Sequence, residues 1–347
     1  MNGLEQLVRD RHIIVCCGSG GVGKTTIAAA IAIRAAELGR NTVVVTIDPA
    51  KRLADALGLG DTGLTNEPQP VAGHWPGQLH AMMLDTKRTF DDLVARYAAT
   101  ETQATKILEN PFYRNISGSL GGTQEYMAAE KLYQLAVEAD FDLVVIDTPP
   151  SRNALEFLDA PERLSKFLNH RLYRVLMAPS RLSMRLISAA AQTFFRQITK
   201  VVGASVIEDA MSFFEAFDGM EDGFRSRATK TQELLKRPTT AFALITTPRG
   251  DAVVEAEFFA AELANRSTEV AALIINRMLP QYPAVKSGPA GLRRNLDEFR
   301  SAAQREESNV GPLLAACPKA VVSRVPLMAA DVHDLAGLQA VSASLFG

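Results

Sequence analysis

A lysine followed by a threonine at the end of a glycine-rich turn is a phosphate-handling pair. Lys24 and Thr25 occupy that position in GSGGVGKTT, residues 18–26. The stretch satisfies two spacings. As G-x-G-x-x-G, Gly18, Gly20 and Gly23 are the turn of a dinucleotide-binding unit; as G-x-x-x-x-G-K-[ST], Gly18, Gly23, Lys24 and Thr25 are a P-loop. Both patterns require a strand before and a helix after, and HIIVCC (12–17) and IAAAIAIRAAEL (27–38) provide them. Asp48 even lies where an acid would meet a ribose. Three features favour a triphosphate. Lys24 offers a cation to the β- and γ-phosphates and Thr25 a hydroxyl to Mg²⁺, roles a dinucleotide turn does not need. Asp147 closes FDLVVID (141–147), the kind of acid that orders a magnesium shell. Asp48 is followed by Pro-Ala-Lys-Arg-Leu, a helix start rather than a ribose-binding turn. Backbone N–H groups from Gly20 to Thr25 then converge at a helix N-terminus, where anions are favoured. Glycines there let the backbone approach phosphates without a Cβ in the way.

Such a loop has to be held by a sheet. Short apolar runs recur along the chain: 12–17, 42–47, 79–84, 141–146, 241–246, 271–276 and 320–325. Their hydrophobicity is continuous rather than alternating, as in parallel strands covered on both faces. Alternation with helical patterns predicts an α/β, doubly wound, mostly parallel sheet, with ligands at the carboxyl ends of its strands. Two intervals break the alternation. Residues 86–138 read as helix with a loop around Asn110–Gly122, and 152–238 contain no convincing strand but apolar residues at helical spacing. The expected organisation is a single P-loop domain over 1–347. Its core comprises 1–85, 139–151 and 239–347, and its helical insertions are 86–138 and 152–238. A further, mostly solvated helix is expected over 291–309.

Composition narrows the class. Apolar residues make up 47% and charged residues 22%, an ordinary globular balance. A formal charge of −2 without a basic stripe argues against nucleic acid. Cys16, Cys17 and Cys317 form neither a disulfide framework nor a zinc ligand set. The polar opening MNGLEQLVRDRH does not resemble a signal peptide. Apolar runs are broken by charges well short of the roughly 18 residues a membrane span needs. The expected location is the cytoplasm.

GSGGVGKTT together with TIDPAKRLADALG (46–58), VVIDTPPSRNALEFL (144–158), IINRM (274–278) and RVPLMAADVHDLAGL (324–338) resembles the ArsA-type ATPases. That family includes arsenical-pump ATPases and tail-anchored-protein-targeting ATPases, and is related to the MinD/ParA group. The closest resemblance is to single-domain bacterial members known as anion-transporting ATPases. It runs through the nucleotide-binding core and is vague in the helical insertions. It implies a P-loop of the deviant Walker A type and Mg²⁺-dependent ATP hydrolysis, with Lys24 and Asp48 catalytic. Nucleotide-binding positions would be Gly18, Ser19, Gly20, Gly21, Val22, Gly23, Lys24, Thr25 and Thr26. Asn276 would read adenine, and Pro326 and Leu327 would cover the base. Asp48 and Pro49 would form the first switch, with Asp48 orienting the attacking water. Asp147, Thr148 and Pro149 would open the second. Thr25 would ligate Mg²⁺ and Asp147 would reach it through water. The bland readings are capping acids for Asp48 and Asp147 and a turn residue for Asn276.

The departures from the pattern matter as much. The family carries a lysine at the second loop position that reaches across a dimer to the partner's phosphates; here it is Ser19, which brings no charge. Either another cation such as Arg52 or Arg152 replaces it, or turnover is slow, or a paralogous ATPase supplies it in a heterodimer. Two-fold pairing, homodimeric or heterodimeric, is expected because there is one P-loop. A nucleotide-sensing scaffold with little hydrolysis is the competing reading, and a NAD-dependent oxidoreductase a distant third. Adjacent Cys16 and Cys17 should point to opposite faces of a strand and cannot chelate a metalloid together; the Cys-x-x-Cys of a zinc-bridged dimer is absent. GGTQE (121–125) resembles a family segment at the dimer face, but Glu125 reads more simply as surface helix. Phe194, Phe195, Phe213, Phe214 and Phe217, with Met177, Met184 and Met211, could line a groove for a protein client or membrane partner. An ordinary helical core is the plainer reading of the same stripes.

Overall fold

Runs of Val, Ile and Ala with no polar interruption can only be buried on both faces, and the chain uses them that way. The computed structural model describes residues 3–47, 52–60, 63–116, 123–149, 151–169, 204–284 and 289–347. Its centre is an 8-stranded sheet in the order β3-β4-β2-β5-β1-β6-β7-β8. The strands are β1 (Ile13–Cys17), β2 (Asn41–Thr46), β3 (Gln69–Pro70), β4 (Gln78–Met83), β5 (Leu143–Asp147), β6 (Thr240–Thr246), β7 (Val270–Met278) and β8 (Val321–Pro326). Every neighbouring pair is parallel except β3–β4. The apolar runs read from the sequence are seven of these strands. β3, a two-residue edge strand in a polar, proline-containing stretch, was not foreseen.

Alternate strand residues divide between two faces. Ile14, Cys16, Val44 and Val145 pack into one cluster with the helix Lys24–Glu37, while Ile13, Val15, Val43 and Val144 are equally buried on the other. Each such side chain contributes about 1.5–3 kcal/mol of burial. The helix Lys24–Glu37 is apolar all round because it is enclosed, lying against β1, β2, β4, β5 and the helix Leu335–Phe346. Its alanines 28, 29, 30, 32, 35 and 36 are fully buried, and their small side chains permit that close packing. The effect is to hold the start of this helix firmly against the carboxyl ends of β1 and β5.

The chain divides into two compact units. The first comprises Met1–Leu84, Leu132–Leu155 and Lys236–Gly347 and contains the sheet; the second comprises Asp85–Lys131 and Glu156–Leu235. The described part of the second is helical, with helices Thr86–Tyr97, Glu101–Leu108, Pro111–Ile116, Ala204–Phe217 and Glu221–Lys236, together with portions of Thr123–Tyr133 and Ser151–Asn169. Asp85 caps the first by accepting from the N–H of Arg88 at 2.9 Å, and Thr100 caps the second through Gln103 at 3.1 Å. The stretch read as a loop around Asn110–Gly122 contains a helix. Asn110 starts it, its Oδ1 accepting from the N–H groups of Phe112 and Tyr113, with Pro111 in the first position. Rings from several helices join aliphatic side chains such as Leu93, Val94 and Ile107 in the core of this unit. Phe213 stacks on Tyr113 and Phe217, and Phe224 meets Phe217 at 5.0 Å and Tyr97 at 5.2 Å. Phe213 and Phe217 are therefore core residues, and Phe214 packs against the same cluster. Phe194, Phe195, Met177 and Met184 lie outside the described residues.

In the sheet-containing unit, Ala290–Ala316 forms one helix, longer than the solvated segment foreseen and exposed over most of its first half.

Candidate phosphate-binding site

β1 stops at Cys17 because Gly18 takes φ 153°, and a Cβ there would overlap the carbonyl oxygen of Ile245 on β6. Gly21 (φ 77°) and Gly23 (φ 92°) carry the turn through the left-handed region, and the helix begins at Lys24. Its first turn has no acidic residue, and Gly23 provides no side-chain cap. A long, buried helix thus begins here without a side-chain cap from Gly23, with the positive end of its dipole at the loop.

The polar side chains at this helix start are already organised. Lys24 is buried at 8% exposure and its Nζ donates to the carbonyl of Ser19 at 2.8 Å. Thr25 Oγ1 donates to Asp147 Oδ2 at 2.7 Å, and Thr46 Oγ1 donates to the same oxygen at 3.1 Å. Register explains the convergence: Asp147 on β5 is the partner of Cys16 on β1 and of Thr46 on β2, so three strand ends meet in one row. Thr148 Oγ1 donates to the carbonyl of Cys16 at 2.8 Å and turns the chain away.

A cavity of about 670 Å³ opens on this row. Of the residues singled out in the sequence, Gly20, Gly21, Gly23, Lys24, Thr25 and Thr26 line it from the loop. Asp147, Thr148, Asn276, Pro326 and Leu327 line it from other strand ends, and Arg52 lines it from the start of the helix Arg52–Ala56. Gly18, Ser19 and Val22 belong to the loop without facing that space, and Pro149 follows Thr148 just outside it. Asp48 and Pro49 lie outside the described residues. Arg152 is in the helix Ser151–Asn169, and its side chain is outside the described ones. Glu125 belongs to the helical unit and is 8% exposed; the expectation of a surface position is corrected.

Asn276 is more committed than a turn residue. Its Nδ2 donates to the carbonyl of Val22 at 2.9 Å and its Oδ1 accepts from the N–H of Arg277 at 2.9 Å. A Cβ on Gly23 would overlap the Asn276 amide, so glycine at 23 and asparagine at 276 fit as a pair. One amide hydrogen and one lone pair remain for a ligand. Leu327 is 52% exposed at the mouth, with its N–H donating to Met278 O at 2.8 Å. Arg277, Asp55, Met328, Asp331 and His333 also line the cavity. A regular strand would send Arg277 away from Asn276's side, so spacing alone does not assign it to this cavity.

The donor set favours a hard cation shared with a ligand. Thr25 and Asp147 present a hydroxyl and a carboxylate oxygen side by side, ligands of the type Mg²⁺ takes together with phosphate oxygens and water. Among the described residues no group of three or more His, Cys, Asp or Glu side chains could hold a metal by itself. The neighbouring thiols do not suit a soft metalloid. Burial pushes Cys17 up to about 12 and holds Cys16 well above its ordinary value, so both are neutral thiols at pH 7. No described helix is long and apolar enough to cross a membrane.

A family model described as an anion-transporting ATPase matches residues 11–347. The chain is similar to an ATPase ASNA1 homolog of Babesia bovis, with 28% identity over 284 residues, 80% of this chain and 70% of that protein. It is 25% identical over 288 residues to an ATPase GET3 of Malassezia globosa, covering 82% and 78%. With an ATPase ARSA2 of Chlamydomonas reinhardtii it shares 26% over 283 residues, covering 80% and 71%.

Proposed function

The chain belongs to the anion-transporting ATPase family, and on that premise we propose that it binds Mg²⁺·ATP in the cavity at the carboxyl ends of β1, β5, β7 and β8 and hydrolyses it. The observation that carries this reading is the junction of Lys24–Ser19 and Thr25–Asp147 at an uncapped, buried helix start. Lys24 is the cation that moves from the Ser19 carbonyl to the phosphates. Backbone N–H groups of Gly20 to Thr25 hold phosphate oxygens, and water is displaced from a site walled by strand ends. Thr25 and Asp147 would hold Mg²⁺, which neutralises developing charge on the transferred phosphoryl group when bound. Asn276, Pro326 and Leu327 would receive the base. Asp48 and Pro49, with Asp147, Thr148 and Pro149, would act as the two switches. Their state would be coupled to the pairing of two chains and to movement of the helical insertion, which takes a client or partner. The cytoplasm is the proposed location.

Calorimetric titration of the full chain with Mg²⁺·ATP tests this. One site per chain is expected, with affinity reduced about 100-fold or more in Lys24→Ala, the scale for losing a charged donor to a phosphate. Asp147→Asn should retain some nucleotide but lose Mg²⁺-dependent turnover. Unchanged binding by Lys24→Ala would overturn the assignment.

The second reading, a nucleotide-sensing scaffold or heterodimer subunit, is favoured by Ser19. It is 7% exposed and contributes only its backbone carbonyl to Lys24. Single-turnover hydrolysis compared with ATP-dependent dimerisation, followed by sedimentation, separates the two. Dimerisation without phosphate release supports the scaffold.

A further inference from the structure

β7 ends in an irregularity that aims two consecutive side chains at one target. In a regular strand, successive side chains point to opposite faces. Here Asn276 Nδ2 donates to Val22 O and the next residue, Arg277, donates from Nη1 to Gly21 O at 3.2 Å. Two backbone features produce this. The ladder with β8 shifts register between Ile275 and Met278, and Arg277 takes φ 59°. Such bulges re-aim side chains beside functional sites. A side-chain-bearing residue in the left-handed region persists only where its surroundings hold it there, and ligand sites are common places for it. Ser267, the other described non-glycine residue with positive φ, has an ordinary explanation, since it terminates the helix Gly250–Asn265. Arg277 terminates no helix.

The strained residue faces the phosphate loop and carries a full positive charge. It lines the same cavity as Lys24 and Thr25. One of its guanidinium donors is used on Gly21, and among the described residues the others bond to nothing. A planar fork that rests on a single neutral carbonyl is better matched by a pair of phosphate oxygens. Ser19 leaves the loop without a charge at its second position, so Lys24 is the only cation the loop itself offers.

The geometry points to Arg277 as a second phosphate-binding cation of this site, supplied in cis from the end of β7. The inference rests on the ATP-site reading above. Without nucleotide the guanidinium braces Gly21; with nucleotide it pairs with phosphate oxygens, and the strain in β7 maintains its aim.

The test uses the full chain and reads Mg²⁺·ATP and Mg²⁺·ADP affinity by calorimetry, with Tm measured in the absence of nucleotide. Arg277→Gly relieves the left-handed backbone while removing the charge, so the two effects separate. Its Tm should hold or rise, whereas ATP affinity should fall about 10- to 100-fold, more steeply at low salt. Arg277→Lys should recover part of the loss and Arg277→Gln none. Should Arg277→Gly lower Tm as well, the lysine rescue decides between charge and folding. Wild-type affinity in Arg277→Gly with Lys24→Ala impaired would reduce Arg277 to a brace and overturn the inference. Wild-type affinity in Lys24→Ala would instead overturn the ATP-site reading beneath it.

Discussion

The two units of this chain solve the problem of a core in different ways. In the sheet-containing unit the interior is aliphatic, and polar side chains concentrate where strands end: Thr46, Asp147, Thr148 and Asn276 all lie at carboxyl ends. Their geometry follows from backbone register, so a side chain there is placed by pairings several residues away. In the helical unit the interior mixes rings from several helices with aliphatic side chains such as Leu93, Val94 and Ile107, and it encloses a charge pair. Arg227 donates from Nε and Nη2 to the Glu130 carboxylate at 2.7–2.9 Å, with side-chain exposures of 7% and 0%. One unit places its buried charges, Lys24 and Asp147, beside the cavity at its strand ends; the other buries a charge pair and cancels it internally. Backbone changes should therefore damage the first unit most, and side-chain charge changes the second.

The largest effect should come from breaking the buried pair. Arg227→Met leaves Glu130 enclosed without its guanidinium and should cost about 3–5 kcal/mol in urea unfolding. Replacing both, as Glu130→Leu with Arg227→Met, should restore most of it, because two apolar groups need no desolvation. Hydrogen exchange should accelerate in Thr123–Tyr133 and Glu221–Lys236. Equal acceleration in β1 and β5 would show that the two cores unfold as one and erase the contrast.

Backbone substitutions in the loop come next. Gly18→Ala meets the Ile245 carbonyl and an unfavourable φ together, and should cost about 2–3 kcal/mol. Gly21→Ala has open space around its Cβ and only the φ of 77° against it, so about 1 kcal/mol is expected. Denaturant midpoints of the two variants give the difference directly. Similar losses would mean that the contact with β6 contributes nothing to the loop's shape.

What could be read in advance follows the same division. Strands such as β1, β2, β5 and β6 were legible because parallel strands buried on both faces must be continuously apolar, whereas β8, at the sheet edge with Arg324 exposed, is marked only by its valines. Gln69–Pro70 carries no such mark, since its strand character comes only from pairing with His80 and Ala81. The glycine-rich loop between β1 and the helix Lys24–Glu37 was legible from residue type and spacing, but Thr46 as Asp147's second hydroxyl partner depends on the β2–β5 register. The helix at Pro111–Ile116 had a signal, Asn110 followed by proline, that was outweighed by the polar residues after it. Glu125 and Arg277 had none. Burial of a helix face is decided by tertiary packing, and the aim of Arg277 by one left-handed dihedral.

The last comparison concerns Cys17, and it asks whether the middle of the sheet accepts a charge beyond the buried Lys24 and Asp147. Its thiol titrates near 9.0 in an unfolded chain and at about 12 when folded, because burial disfavours the thiolate. Below pH 9 both states hold the proton, so the stability tied to this group is complete. Between about 9 and 12 only the unfolded chain gives it up, and that contribution is lost as pH rises. The slope is at most about 1.4 kcal/mol per pH unit. Cys17→Ala cannot show this loss, so its stability should fall less steeply than that of the wild type in urea titrations at pH 8, 9 and 10. Any fixed cost of removing the sulfur cancels in the comparison of slopes. Parallel slopes would mean that a thiolate is tolerated beside β6, and that buried charge in the sheet unit is not confined to Lys24 and Asp147 beside the cavity.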